Sequence, residues 1–328
     1  MKKRPMVILT GPTAVGKSAL AVKLAKRING SVISADSMQI YRYMDIGSAK
    51  ITKEEMGGIP HALIDVLHPS EEFHVARFAG LAREASEEIY RENKIPIVVG
   101  GTGFYIQALL YAIDFTEQEC DQSYRVMLAA LAEKKGTAYL HEMLREVDPD
   151  SAAAIHPNNQ KRIIRALEFY HQSGRRISEH NEKERQKESP YEFAYFVLSE
   201  ERKELYERIE KRVDAMLAQG LIEEVLALKV MGCHRDMVSM QGLGYKEIMD
   251  YLDEKISLEE AVYRIKRDTR HFAKRQLTWF RRERDVIWLQ KEAYGRDEEK
   301  ILADMLRILE EKQIYIPNRE QKEENVHL

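Results

Sequence analysis

Short, uninterrupted apolar runs alternate with longer stretches of helical spacing over the first hundred residues. Val7-Ile8-Leu9 reads as a buried strand and Ala19 to Ala25 as a helix, with Gly30 as its stop. Ser31 to Ala35 is a second strand running into Asp36, and a further apolar run spans Ala62 to Val66 between Pro60 and Pro69. Phe78 to Asn93 has helical spacing, and Ile95 to Val99 is another strand, ending in Gly100-Gly101-Thr102-Gly103. This alternation predicts an α/β fold with a parallel sheet. From about 117 the pattern changes. Residues 121–135, 137–147 and 159–172 read as helices, punctuated by Gly136, Pro149, Pro157 and Gly174, and no strand follows until Phe193 to Leu198. Residues 117–190 are therefore expected to form a helical domain inserted into a core built from 1–116 and 191–317. Helices resume at Arg202–Gln219, stopped by Gly220, and at 221–230. Ser257 with Glu260 makes a capping box for a long helix running towards Arg284, and Val286 to Leu289 is a last strand. The tail, 318–328, is charged, lacks core residues and is expected to be mobile.

The first strand–turn–helix carries the strongest chemical signal. Gly11, Gly16, Lys17 and Ser18 fit G-x-x-x-x-G-K-[ST] between the strand and the helix, the P-loop pattern. Glycines let successive backbone N–H groups of Gly11, Pro12, Thr13, Ala14, Val15 and Gly16 line one concavity (Pro12 itself contributing none), and the helix N-terminus adds positive dipole. Lys17 can neutralise phosphate charge and the Ser18 hydroxyl can sit on Mg²⁺. Such a loop usually indicates nucleotide binding, ATP hydrolysis or phosphoryl transfer, and those enzymes need an apolar strand ending in Asp for Mg²⁺. Here the strongest later strand ends in Gly-Gly-Thr, so the available acid is Asp36, after the second strand. Ligands gather at the carboxyl ends of parallel strands, which puts Asp36 near the loop as a metal ligand or a proton acceptor, with Thr102 at the neighbouring strand end.

Charge changes the picture locally, not globally. Acidic and basic residues nearly cancel, 54 against 51, for a formal net charge of −3. Between Arg264 and Arg284, however, nine Lys/Arg face only Asp268 and Glu283. Val262, Ile265, Thr269, Phe272, Gln276 and Trp279 make a core-facing stripe there, with Arg267, Arg270, Lys274 and Arg281 on another side. Lys161, Arg162 and Arg165, followed by Arg175 and Arg176, form a second basic group in the insertion. Two basic patches flanking a phosphate site suggest a polyanion longer than a nucleotide. Cys120 and Cys233 cannot make a zinc site alone and imply no disulfide framework. No apolar run approaches membrane-spanning length and no signal-peptide pattern precedes the first strand, so a cytoplasmic, membrane-free protein is expected.

Beyond the loop, DSMQIYRYMDIGSAK (36–50), HALIDV (61–66), GGTGFY (100–105), NNQKRIIRALE (158–168), GLGYKE (242–247) and AKRQLTWFRR (273–282) stand in order and spacing. Together they resemble the bacterial tRNA dimethylallyltransferase family over almost the whole chain, the tail excepted. Departures are small: Tyr43 stands where the family usually has Gly, Ser48 for Thr, and Ala62 for a second His.

The resemblance implies transfer of a dimethylallyl group from dimethylallyl diphosphate to the exocyclic N6 amine of the adenosine beside a tRNA anticodon, by an enzyme expected to be monomeric. Gly11 to Ser18 would then hold a diphosphate leaving group, with Mg²⁺ at Ser18. Asp36 would accept the amine proton, Thr102 would hydrogen-bond nearby, and Arg212, in LYERIEKRVDAM, would close over the diphosphate. The amine is hidden in a stacked base, so the adenine must be flipped into a pocket, in reach of Asp36, Ser37, Met38, Gln39 and Thr102. Gln160, Lys161, Arg162, Ile163 and Ile164, with Gln241, Gly242, Leu243, Gly244, Tyr245 and Lys246, are the implied tRNA contacts, and Tyr124 or Arg125 a further candidate. The alternatives are an isopentenyltransferase acting on free adenine nucleotides, a P-loop nucleotide kinase, and a non-enzymatic RNA-binding module. AMP would need neither basic patch, a kinase would need the missing aspartate, and a binding module would not need Lys17 and Asp36 together.

Overall fold

The computed structural model describes residues 3–113 and 122–316. The 318–328 tail and Cys120 lie outside the described residues. In chain order the first segment runs β1 (Arg4–Thr10), α1 (Lys17–Ile28), β2 (Gly30–Ser34), α2 (Lys53–Met56), β3 (His61–Ala62), α3 (Val75–Arg91), β4 (Ile95–Gly100) and α4 (Gly103–Leu110). There follow α5 (Gln122–Lys135), α6 (Thr137–Val147), α7 (Pro149–Ala154), α8 (Gln160–Ser173) and α9 (Ile177–Gln186). The chain closes with β5 (Tyr191–Ser199), α10 (Arg202–Ala218), α11 (Leu221–Val230), α12 (Tyr245–Leu252), α13 (Leu258–Phe280), β6 (Val286–Gln290) and α14 (Glu298–Glu311). Two compact units result, Met1–Leu110 with Pro190–Leu328, and Tyr111–Ser189.

The first unit is an α/β layer structure. Its six strands are all parallel, in the order β3-β2-β4-β1-β5-β6. Central strands are apolar on both faces because helices cover both. Val7, Leu9, Val32, Ile97, Val99, Phe196 and Leu198 pack with Leu20, Leu24 and Ile28 of α1, Leu205 and Ile209 of α10, and Ile301, Met305 and Leu309 of α14. Helix α3 lies against β2 and β4. Of the run at 62–66 only Ala62 joins the sheet, in the two-residue β3 with His61, because Leu63 and Asp65 take left-handed conformations (φ 63° and 55°) that end the ladder.

Helix α13 departs from expectation at both ends. Ser257 Oγ accepts from the Glu260 amide at 3.2 Å, but the Glu260 carboxylate turns to Arg264 (2.6 Å), so only half of the capping box forms. The helix stops at Phe280, short of Arg284. Its buried face is Ala261, Ile265, Ala273, Gln276 and Phe280; Val262, Thr269, Phe272 and Trp279 from the expected stripe are only half-buried.

The second unit is all helical, with a core of Leu128, Leu140, Leu144, Ile163, Ile164 and Leu167. Two short helices here, α7 and α9, have no counterpart in the periodic pattern. Both hang on Asp148, whose buried carboxylate accepts from the amide and hydroxyl of Ser151 (3.0 and 2.7 Å) and of Ser178 (3.0 and 2.7 Å). These bonds hold its pKa down against the opposing effect of burial.

Candidate active site

The carboxyl ends of β1, β2 and β4 meet at one cavity of about 750 Å³, lined by residues of the first unit alone. Thr13, Ala14, Gly16, Lys17 and Ser18 form its floor, Asp36 and Gln39 one wall, and Arg208, Lys211 and Arg212 another. Gly11 must be glycine: φ is 145°, and a Cβ would sit 2.2 Å from the Leu198 carbonyl oxygen. The loop turns through left-handed Ala14 (φ 65°) and Gly16 (φ 100°) into α1. Gly11, Pro12 and Val15 do not themselves line the cavity. The Gly11 and Pro12 carbonyls accept from Lys17 Nζ at 3.0 and 2.8 Å, and Val15 is buried in the core.

Strand β2 delivers Asp36. A Cβ on Gly100 would lie 2.2 Å from the Ala35 carbonyl oxygen, so the bare glycine lets the ends of β2 and β4 close together. The Thr102 amide then reaches the Ala35 carbonyl (3.4 Å), setting Thr102 next to Asp36 in the fold, although Gly101 and not Thr102 lines the cavity. Asp36 Oδ1 accepts from the amides of Met38 (2.8 Å) and Gln39 (3.4 Å), which fixes the carboxylate as the loop turns. Burial pulls the Lys17 ammonium down to about 7, the Arg212 charge adds to this, and Asp36 opposes it. Burial also lowers Arg212, again opposed by Asp36. Two crowded cations facing one carboxylate suit an anionic ligand, whose charge would relieve their repulsion.

Several residues of this site were not found from sequence. Gln276 is 5 % exposed. Its Oε1 accepts from the Thr13 amide at 2.9 Å and its Nε2 donates to the Gly101 carbonyl at 2.9 Å, stapling the two glycine turns together. The signal was there, a lone amide in an apolar helical stripe. Arg208 Nε donates to the Ala14 carbonyl (2.9 Å), and Lys291 Nζ to that of Val15 (3.3 Å). Arg208 stands one turn before Arg212, and Lys291 just after the last strand, positions that helical spacing and the strand-end rule could have marked.

The implied tRNA contacts divide. Lys161, Arg162 and Arg165 are exposed and Gln160 half-buried, while the side chains of Ile163 and Ile164 pack in the helical core. Gln241 is exposed, donating to the Arg235 carbonyl, and Leu243 and Lys246 are half-exposed. Gly242, Gly244 and Tyr245 are buried: Tyr245 donates its hydroxyl to Glu224 (2.9 Å), and a Cβ on Gly242 would strike Met38 Sδ at 2.7 Å. Tyr124 stacks on His171, centroids 3.9 Å apart, and Arg125 grips the buried Glu168 at 2.6 and 2.8 Å. On α13, Arg264, Lys266, Arg267 and Arg270 are ion-paired with Glu260, Asp214, Asp268 and Glu210. The exposed cations of this stretch are Lys274, Arg275, Arg281, Arg282 and Arg284. Tyr43 has φ 66°, which explains a glycine preference at that position. Among the described residues no cluster of three or more His, Cys, Asp or Glu side chains could hold a metal, and no helix is long and apolar enough to cross a membrane.

The IPP transferase profile matches residues 39–283, and an isopentenyl transferase profile matches residues 5–66. A tRNA dimethylallyltransferase of Lachnoclostridium phytofermentans is 60% identical over 311 residues, covering 95% of this chain and 99% of the relative. The tRNA isopentenylpyrophosphate transferase of Bacillus halodurans superposes with a TM-score of 0.71 at 45% identity, covering 95% of this chain and 98% of that one. A eukaryotic dimethylallyltransferase acting on tRNA gives 0.75 at 32% identity, over 88% of this chain and 74% of its own. With a profile match across most of its length and relatives this similar end to end, the chain belongs to the IPP transferase family.

Proposed function

We propose that the protein transfers a dimethylallyl group from dimethylallyl diphosphate to the N6 amine of the adenosine beside the anticodon of tRNA. The observation that supports this is one cavity that holds Lys17, Ser18 and Arg212 together with the Asp36 carboxylate. In this reading the Gly11–Ser18 turn is a phosphate-binding P-loop. Backbone amides and the two cations hold the diphosphate where negative charge grows as the carbon–oxygen bond breaks. The N6 lone pair forms the new carbon–nitrogen bond at the allylic carbon, and the diphosphate departs with the electron pair of the broken bond. The amine proton passes to Asp36, whose Oδ2 makes no hydrogen bond among the described residues while Oδ1 is held by two amides. Thr102 Oγ, also without a hydrogen bond among the described residues, would steady the amine from the neighbouring strand end.

The site fits Mg²⁺ of the kind that keeps most of its waters. Ser18 offers one hydroxyl and the diphosphate the remaining anionic ligands, so no protein cage is required. When bound, Mg²⁺ would offset the charge of the departing diphosphate. The single-stranded anticodon loop would present its adenine to the wall formed by Asp36 to Gln39, while Lys161, Arg162 and Arg165 of the helical unit and the exposed cations between Lys274 and Arg284 take its phosphates. The enzyme works in this reading as a cytoplasmic monomer. The test offers labelled dimethylallyl diphosphate with tRNA, AMP and ADP in parallel. Label in tRNA alone supports the proposal; label in free nucleotides, or tRNA-independent ATP turnover, overturns it.

A further inference from the structure

Helix α11 sends one carboxylate into the loop that follows the proposed adenine wall. Glu224 Oε2 accepts from the amides of Asp45 (2.8 Å) and Ile46 (2.7 Å), and Oε1 from the amide of Gly47 (3.0 Å) and the Tyr245 hydroxyl (2.9 Å). All four acceptor positions of the carboxylate are thus used, three of them by consecutive amides from a segment about 180 residues away in sequence. The geometry around this contact is closed. A Cβ on Gly47 would meet the Tyr245 ring at 2.6 Å, and Tyr245 is fully buried. Burial first, and the Glu224 charge second, raise the Tyr245 hydroxyl well above its ordinary range, so it stays a donor.

From this staple the contacts lead towards the catalytic wall. Ser48 and Ala49 carry carbonyls that accept from Gln39 Nε2 at 3.5 and 3.3 Å, and Ser34 Oγ lies 3.3 Å from Gln39 Oε1. The Gln39 backbone N–H in turn donates to Asp36 Oδ1. Met38 leans on the bare face of Gly242, three residues before Tyr245. We propose that Glu224 is a positioning residue for the acceptor: through the 45–47 backbone and Tyr245 it sets the loop that orients Gln39, and with it the adenine presented to Asp36. The inference rests on the prenyl-transfer reading. Glu224 does not line the cavity. Both carboxylate oxygens act as acceptors, and a glutamine at this position would turn its NH2 either toward the Asp45 and Ile46 amides or toward the Gly47 amide and the Tyr245 hydroxyl.

The experiment uses the full chain with Glu224→Gln and Tyr245→Phe, and Tyr294→Phe as a matched control. Tyr294 also donates to a carboxylate, Asp304 (2.7 Å), between β6 and α14. Wild-type transfer is measured first and decides the reaction itself. Hydrogen exchange at Asp45, Ile46 and Gly47 then reads the staple without reference to activity. Expected for Glu224→Gln are faster exchange at those three amides and a loss in kcat/KM for tRNA on the order of 10²-fold, the cost of misplacing a reacting group by about an ångström. Tyr245→Phe, which removes one hydrogen bond, should lose about 3- to 10-fold. The KM for dimethylallyl diphosphate should stay within about twofold in both. Tyr294→Phe should leave the tRNA parameters unchanged even if it lowers the Tm as much. The proposal is overturned if exchange at 45–47 is unaltered in Glu224→Gln, if kcat/KM for tRNA is retained, or if the donor KM rises in step with it.

Discussion

Replacing Gln276 with Met should loosen the floor of the site by an amount that can be worked from its contacts. Methionine keeps the length and nearly the volume of the side chain, so no cavity opens and the change is almost purely polar. Two backbone groups lose their partners, the Thr13 N–H and the Gly101 carbonyl. An orphaned buried group costs about 1–3 kcal/mol. Because Gln276 borders the open cavity, water can reach both groups, so the lower end applies and the pair costs about 2 kcal/mol. That is a sizeable part of the roughly 5–15 kcal/mol that holds a domain together. Catalysis should suffer more than folding, because the Gly11–Ser18 turn would no longer be tied to the β4 terminus. A shift of about an ångström at Thr13 would lower kcat/KM for dimethylallyl diphosphate by about 10²-fold. Urea unfolding followed by tryptophan fluorescence suits the measurement, since Trp279 and Trp288, the only two tryptophans, both belong to the α/β unit. If Gln276→Met unfolds within about 0.5 kcal/mol of wild type and keeps both kinetic constants, the staple is not what holds the turns together.

Other outcomes follow from the same geometry. Asp36→Ala should cost about two to four orders of magnitude in kcat while leaving donor binding intact; turnover within about tenfold of wild type would remove Asp36 from the proton step. Lys17 is lowered to about 7 in the free protein. The unfolded chain therefore binds more protons between pH 7 and the ordinary lysine range, and the stability of the free protein should rise with pH through that window. A bound diphosphate restores the charge, so donor binding at pH 8 should take up a proton and weaken as pH rises. Calorimetry in two buffers of different ionisation enthalpy reads this directly, and no uptake, or the same uptake in Lys17→Met, would refute it. Neutralising Arg162 and Arg165 should raise the KM for tRNA and flatten its salt dependence by roughly one counterion per lost phosphate contact, with the donor KM unmoved. An unchanged salt slope would leave these arginines as a solvated helix face.

Local pattern was enough for much of this protein. The strands could be read because both faces of a parallel sheet are buried, so Val7-Ile8-Leu9 and Ile95 to Val99 are apolar without interruption. The Gly11–Ser18 turn and the Gly100-Gly101 terminus could be read because close backbone approach demands glycine at particular spacings. Asp36 followed from its place at a strand end. Helices α7 and α9 escaped because α7 is a bare turn and a half and α9 is polar nearly all round, leaving no periodic stripe.

What tertiary structure alone decided is which side chains meet. The charge run on α13 reads as basic in sequence, yet Lys266 and Arg270 are answered by Asp214 and Glu210 on α10, more than fifty residues earlier. The GLGYKE block looks like a surface motif, but Tyr245 is drawn inward to share Glu224 with the 45–47 amides. Gln276 sits on a helical face that periodicity assigns to the core, and only the folded chain brings it between Thr13 and Gly101. Helical period and strand alternation are properties of neighbouring residues, fixed by 3.6 and 2.0 residues per repeat, so one sequence displays them. Partners across hundreds of residues are chosen by how the layers pack, and no spacing along the chain encodes that choice.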